Sequence, residues 1–170
     1  LSMRQLLPLA LLLGCPTAPE LPQGPDPCRE PTRVNVVEFV DGDTVDVEFL
    51  DGDLAGSTDR IRLQGIDTPE VDQEDPLDSE FCAVRAWNES IEQLQGESAW
   101  LTFDTSCTGT FDRILAYMFR ESDELWLNRH LIERGYARVS DFEFSFRNEF
   151  ESLEADAMSA GRGLWGPCDQ

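Results

Sequence analysis

At 170 residues the chain is long enough for one domain with a real hydrophobic core plus extensions. Its 34 acidic residues face 13 basic ones, every one an arginine, for a formal net charge of -21. Such an excess argues against diffuse electrostatic attraction to nucleic acid, so any handling of a polyanion has to be built locally.

From Met3 the chain reads MRQLLPLALLLGC, with one positive charge at Arg4 and an apolar run from Leu6 to Leu13. That run is far short of the ~20 residues that cross a bilayer, so residues 1–15 are expected to be a secretion signal and not a membrane span. Leu1-Ser2 ahead of Met3 reads as a start-site artefact. The tail Leu12-Leu13-Gly14-Cys15 resembles a bacterial lipoprotein signal, which implies acylation of Cys15 and attachment to a cell-envelope membrane through that lipid alone. Ordinary cleavage slightly further on is the alternative. Residues 16–32 hold six of the ten prolines and suit an extended tether ahead of a domain at 33–168.

Four cysteines remain, Cys28, Cys82, Cys107 and Cys168, an even number that suits two disulfides in an exported chain. Of the three pairings, Cys82 with Cys107 and Cys28 with Cys168 is favoured, the second fastening the ends of the domain together. There is no CxxC and no Cys/His spacing, which argues against zinc.

Within the domain, TRVNVVEFV (32–40) alternates as a strand, Asp41-Gly42 makes a tight turn, and DTVDVEFL (43–50) alternates again. After turns at Asp51-Gly52-Asp53 and Gly56-Ser57 comes RIRLQGIDTPE (60–70), a third strand ending in two acids around Thr68-Pro69. EVDQEDPLDSE (70–80) is an acidic loop, read as a solvated face, with extra cation binding as the alternative. A helix follows with Val84, Trp87, Ile91 and Leu94 on one stripe, stopping near Gly96. SAWLTFD (98–104) and RILAYMFR (113–120) are two more strands. A second helix runs from about Leu125 to a cap at Gly135, and a third carries Phe146, Phe150, Leu153 and Ala157, closing at Gly161. The pattern predicts an α+β fold: a five-stranded OB-type β-barrel with three α-helices.

Several of these pieces, in this order, resemble the staphylococcal (micrococcal) nuclease family over roughly residues 33–166. They are Asp41-Gly42-Asp43-Thr44, Arg62 with Ile66-Asp67-Thr68-Pro69-Glu70, Asp112 to Tyr117, Asn128, Gly135-Tyr136-Ala137, and Gly161 to Trp165. The resemblance implies a calcium-dependent phosphodiesterase that acts on DNA and RNA and leaves 3′-phosphate ends. By position, Asp43, Asp67 and the Thr68 carbonyl would hold the metal, Glu70 would be the general base, and Arg62 and Arg113 would grip the phosphate. The residue types suit that chemistry: a guanidinium donates two parallel hydrogen bonds to an anion and stays charged. Hard oxygens suit Ca²⁺, with Mg²⁺ equally compatible. Counting charges, three acids against two arginines leave the site at -1, or -2 with Asp41. Only a divalent cation turns the count positive when Asp41 is left out.

Two consequences are geometric. Positions 62 and 67 have opposite parity in a regular strand, so sharing one phosphate requires a bend between 64 and 68, with Gly65 the natural place. The five side chains must also converge, although they are far apart in sequence. Some positions depart from the family pattern. Thr110 and Phe111 stand where a Lys-Tyr pair is usual, Asp141 and Glu143 stand where tyrosines are, and the loop after Glu70 is acidic instead of lysine-rich. These departures bear on substrate grip and leave the chemical centre complete. The chain is expected to be a monomer, and a nuclease-fold nucleic-acid-binding module that has lost turnover is the alternative reading. His130, the single histidine, reads as a helix-surface or boundary residue, and the four tryptophans as packing anchors. The sequon-like Asn88-Glu89-Ser90 carries no expectation. Phe111, Phe142 and Phe144 lie close to the expected cleft, as base platforms or as packing. The acid excess itself fits a saline habitat or arginine-for-lysine replacement in a GC-rich genome.

Overall fold

The structure, a computed structural model, describes residues 19–168. The expected secretion signal and Cys15 lie outside the described residues. The core is a closed barrel in the order β1-β2-β3-β6-β5. Three consecutive strands, β1 (Thr32–Phe39), β2 (Thr44–Phe49) and β3 (Thr58–Leu63), form an antiparallel meander. The barrel closes where β6 (Ile114–Arg120) runs parallel to β3 and β5 (Ser98–Thr102) pairs with both β6 and β1. Two-residue strands β4 (Ile66–Asp67) and β7 (Arg138–Val139) make a separate small ladder.

Alternation sends Val45, Val47, Phe49, Ile61, Leu63, Leu101 and Met118 into the barrel, where all are buried. Each such side chain contributes about 1.5–3 kcal/mol on burial. In β1 the parity switches, from Val34 and Val36 inward to Phe39 inward, because the register slips between Val36 and Glu38. That bulge is what leaves Val37 half exposed.

Helices α1 (Ala83–Leu94), α2 (Leu127–Glu133) and α3 (Arg147–Ser159) fall where the sequence periodicity places them. The inner face of α1 is rotated from the expected stripe, however. Ala83, Ala86, Ser90 and Leu94 are buried, while Val84, Trp87 and Ile91 are only partly so. Small residues let the helix approach the barrel closely, and the larger ones flank that contact. Leu127 and Leu131 of α2, and Phe150 and Ala157 of α3, point inward as expected.

The disulfides differ from the favoured pairing: Cys28 joins Cys107 and Cys82 joins Cys168, with Cα–Cα separations of 5.6 and 5.7 Å. The cause lies in the proline-rich segment, whose described part runs along the barrel. Gly24 N–H donates to Phe103 O (2.9 Å), Cys28 N–H donates to Asp104 O (2.8 Å), and Leu21 is buried with Trp100, Tyr117 and Phe119. Cys28 is thereby set beside the loop after β5, where Cys107 sits, leaving Cys82 at the start of α1 to meet the chain end. Trp126 packs against Tyr117, Phe119, Phe146 and Phe150, and Trp87 Nε1–H donates to Phe39 O (2.7 Å), so these tryptophans are anchors. Among the described residues no helix is long and apolar enough to cross a membrane.

Candidate active site

Strand β3 ends at Leu63 and the chain turns at Gln64-Gly65 before β4 begins. Gly65 has φ +81, and a Cβ there would stand 2.6 Å from the Phe144 ring. Both the left-handed backbone and the packing therefore require glycine. The turn is held from below by Asn128, which is fully buried. Its amide donates to Gln64 O (2.9 Å) and Ala116 O (3.3 Å) and accepts from Met118 N–H (2.9 Å). The bend expected between 64 and 68 is present, and it brings residues of opposite parity to one side. Arg62 Nη2 lies 2.6 Å from Asp67 Oδ1, while Nη1 contacts Asp43 Oδ1.

Asp43 comes from the Asp41-Gly42 turn, closed by Val40 N–H donating to Thr44 O (2.8 Å) and Asp43 N–H donating to Asp41 Oδ1 (3.0 Å). Ser90 of α1 fastens that turn by donating to Gly42 O (2.6 Å), so the sequon-like serine is committed to packing. Thr68 N–H donates to Asp43 Oδ2 (2.6 Å), which binds the end of the bend to the turn. Thr68 Oγ1 is buried and has no hydrogen-bond partner among the described residues.

Asp43, Arg62, Asp67, Glu70 and Arg113 all line one cleft of about 680 Å³. Thr68 is not among the residues that line it, and its side chain is buried. Glu70 stands at the mouth, its backbone joined to Glu80 by two bonds of 3.1 Å, Glu70 N–H to Glu80 Oε2 and Glu80 N–H to Glu70 O. Burial, followed by the negative charge of Asp41, raises the Glu70 carboxyl above the usual carboxylate range. Burial also raises Asp41, against the hydrogen bond to Thr44 and the charge of Arg62. The same burial lowers the Arg62 guanidinium against the pull of Asp67 and Asp41. Asp41 and Glu70 thus hold their charges at a cost that a further positive charge nearby would relieve.

The opposite wall is the 105–113 segment. Phe111 and Asp112 both take positive φ, 62 and 56, which turns the chain so that Arg113 faces the cleft. Its Nε–H donates to Thr110 O (3.3 Å) and its guanidinium lies 5.8 Å from the Phe111 ring centre. Phe111 and Phe142 stand exposed on the rim, 87% and 71%, whereas Phe144 is buried under Gly65. Asp141 and Glu143 line the same rim. The acidic loop organises itself through its own backbone. Asp72 Oδ1 accepts from Glu74 and Asp75 N–H, and Asp75 accepts from Leu77 N–H. His130 lies outside this cleft, its Nε2 2.8 Å from the buried Glu89.

Sequence reasoning did not single out Asp104, which is 3% exposed and joins the two walls. It accepts from Tyr117 Oη (2.6 Å), Ser145 N–H and Oγ–H (both 2.7 Å) and Thr105 N–H (2.8 Å). An acid closing an apolar strand, SAWLTFD, was the available signal, but nothing local distinguishes it from a turn residue. Arg138, on the cleft wall opposite Asp67 in the β4–β7 ladder, was also missed.

The model of the staphylococcal nuclease homologue family matches residues 60–167. The chain belongs to the staphylococcal nuclease family. An uncharacterised protein of Methanocaldococcus jannaschii, MJ1439, is 31% identical over 149 residues, covering 76% of this chain and 70% of that protein. The matched family segment includes Arg62, Asp67, Thr68, Glu70 and Arg113. Asp43 reaches the cleft from the turn before β2, ahead of that segment.

Members of such a nuclease family typically depend on a metal, so the donor set needs testing against one. Asp43 and Asp67 already share a single positive group, Arg62, and the orphaned Thr68 Oγ1 lies at the same corner. Two carboxylates and a backbone carbonyl are hard oxygens suited to Ca²⁺ or Mg²⁺. Among the described residues no cluster of three or more His, Cys, Asp or Glu is arranged to hold an ion. The set fits a site completed by water and substrate oxygens, not a closed protein cage.

Proposed function

We propose that this nuclease-family chain is a metal-dependent phosphodiesterase that hydrolyses DNA and RNA as a monomer, leaving 3′-phosphate ends. The observation that carries the reading is the convergence of Asp43, Arg62, Asp67, Glu70 and Arg113 on one cleft. Arg62 and Arg113 bind the non-bridging oxygens of the scissile phosphate, their planar forks matching its geometry. To do so Arg62 exchanges at least one aspartate oxygen for a phosphoryl oxygen. Asp43, Asp67 and the Thr68 carbonyl hold a calcium ion, which when bound supplies positive charge at the phosphate. Glu70 takes the proton of the attacking water, help typically worth ~10²–10⁴-fold in rate. Export is part of the proposal, with Cys15 acylated, and two disulfides among the described residues suit an oxidising compartment.

The test digests single-stranded DNA with calcium, with excess chelator, and with Glu70→Gln. Cutting is expected with calcium only, and the variant is expected to fall ~10²–10⁴-fold while folding normally. Undiminished cutting in chelator would refute the metal assignment. Tight binding without any cutting would identify a binding module instead.

A further inference from the structure

We infer that Arg138 binds a second phosphate of the polynucleotide, next to the scissile one; the inference rests on the nuclease reading above. Acids outnumber bases 34 to 13 in the chain, so an unpaired arginine facing a cleft is a scarce resource for holding an anion. Among the described residues seven arginines form ion pairs within 4.0 Å. Arg29, Arg113, Arg134, Arg138 and Arg162 form none, and of these Arg113 and Arg138 line the cleft.

Two features place Arg138 where a neighbouring phosphate would pass. In the β4–β7 ladder it is the direct partner of Asp67, so its side chain leaves the same face of that ladder beside the reaction corner. Its guanidinium also lies over the Trp165 ring, 5.5 Å from the centre. That cation–π contact holds the group without neutralising it, and among the described residues no acceptor takes up its N–H donors. Asp141 and Glu143 line the same wall without pairing with it. In a cleft whose charged lining is otherwise acid-rich, Arg138 lets a strand continue past the scissile bond. Its role is to bind and position substrate, not to touch the reacting atoms.

The experiment compares the wild-type full chain with Arg138→Gln and Arg138→Lys on two substrates. One is bis(p-nitrophenyl) phosphate, which carries a single diester, and the other is a labelled single-stranded hexanucleotide. For Arg138→Gln, kcat/KM on the hexanucleotide is expected to fall about tenfold through KM, the loss of one charged hydrogen-bonding group, with hydrolysis of the small diester unchanged. In fluorescence anisotropy, the slope of log affinity against log salt should flatten by about 0.7, one single-strand contact, and Arg138→Lys should restore that slope. Equal losses on both substrates, or an unchanged salt slope, would overturn the inference. Anisotropy needs no turnover, so a chain that cuts neither substrate fails as a nuclease while Arg138 is still judged by its slope.

Discussion

Asp43 and Asp104 are almost equally buried, at 2% and 3% exposure, and their surroundings could hardly differ more. Asp104 accepts four hydrogen bonds from neutral donors on strand β6, the 145 turn and its own neighbour Thr105, and it pairs with no arginine among the described residues. Asp43 accepts from Thr68 N–H and Thr44 Oγ–H, and its charge is met by one guanidinium that Asp67 shares. A carboxylate satisfied by fixed dipoles has nothing to gain from a visitor. One that shares a single side-chain cation with other acids can exchange partners without unfolding the chain around it. The first corner builds the walls of the cleft, and the second is where chemistry is expected.

The sharpest way to break that contrast is the same substitution at both corners. Asp43→Asn keeps an acceptor for Thr68 N–H and should leave unfolding free energy in urea within about 1 kcal/mol of wild type. Its nuclease activity should fall on the order of 10³-fold, as when one preorganised charged contact is lost. Asp104→Asn turns an acceptor into a donor facing the Tyr117 hydroxyl or the Ser145 amide. That change should cost about 2–3 kcal/mol of stability, with activity per folded molecule kept within about tenfold. If the two variants exchanged signatures, the assignment of roles would be reversed.

A smaller effect is expected at the bend that makes the active corner. Gly65→Ala places a Cβ where φ is +81 and against the Phe144 ring. A cost of about 1–2 kcal/mol from the backbone alone is expected, with the ring displacement added to it. Because the bend carries Asp67, activity should fall more steeply than stability. A variant with wild-type kinetics would show that Arg62 and Asp67 do not depend on this turn.

How far these corners could be read in the sequence follows from how local their causes are. The bend was legible because parity at 62 and 67 conflicts with one shared task and Gly65 stands between them. The barrel was legible because five strands alternate. The Cys28–Cys107 and Cys82–Cys168 pairing was not, since it depends on a proline-rich segment docking along β5 through backbone bonds that leave no periodic trace. The β4–β7 ladder is two residues long, too short for any pattern, and Arg138 was missed with it. Asp104 was missed because its donors, Tyr117 and Ser145, lie 13 and 41 residues away.

Acid provides the last and mildest test, since the two corners respond to protons in opposite directions. Burial pushes the Asp104 carboxyl up, but hydrogen bonds from Tyr117 and Ser145 outweigh it and hold the group below the usual range. A folded-state value below the unfolded one, about 3.9, means that Asp104 contributes stability in full above that pH. The contribution disappears as pH falls through the folded value. Asp41 is raised instead, by burial, so its ionised form works against folding and protonation relieves it. The difference in unfolding free energy between wild type and Asp104→Asn should therefore be constant from neutral pH down to about 5 and shrink below about 4. A difference that stayed constant below pH 3 would mean that the Asp104 charge contributes nothing, leaving only the geometry of its hydrogen bonds to hold the two walls together.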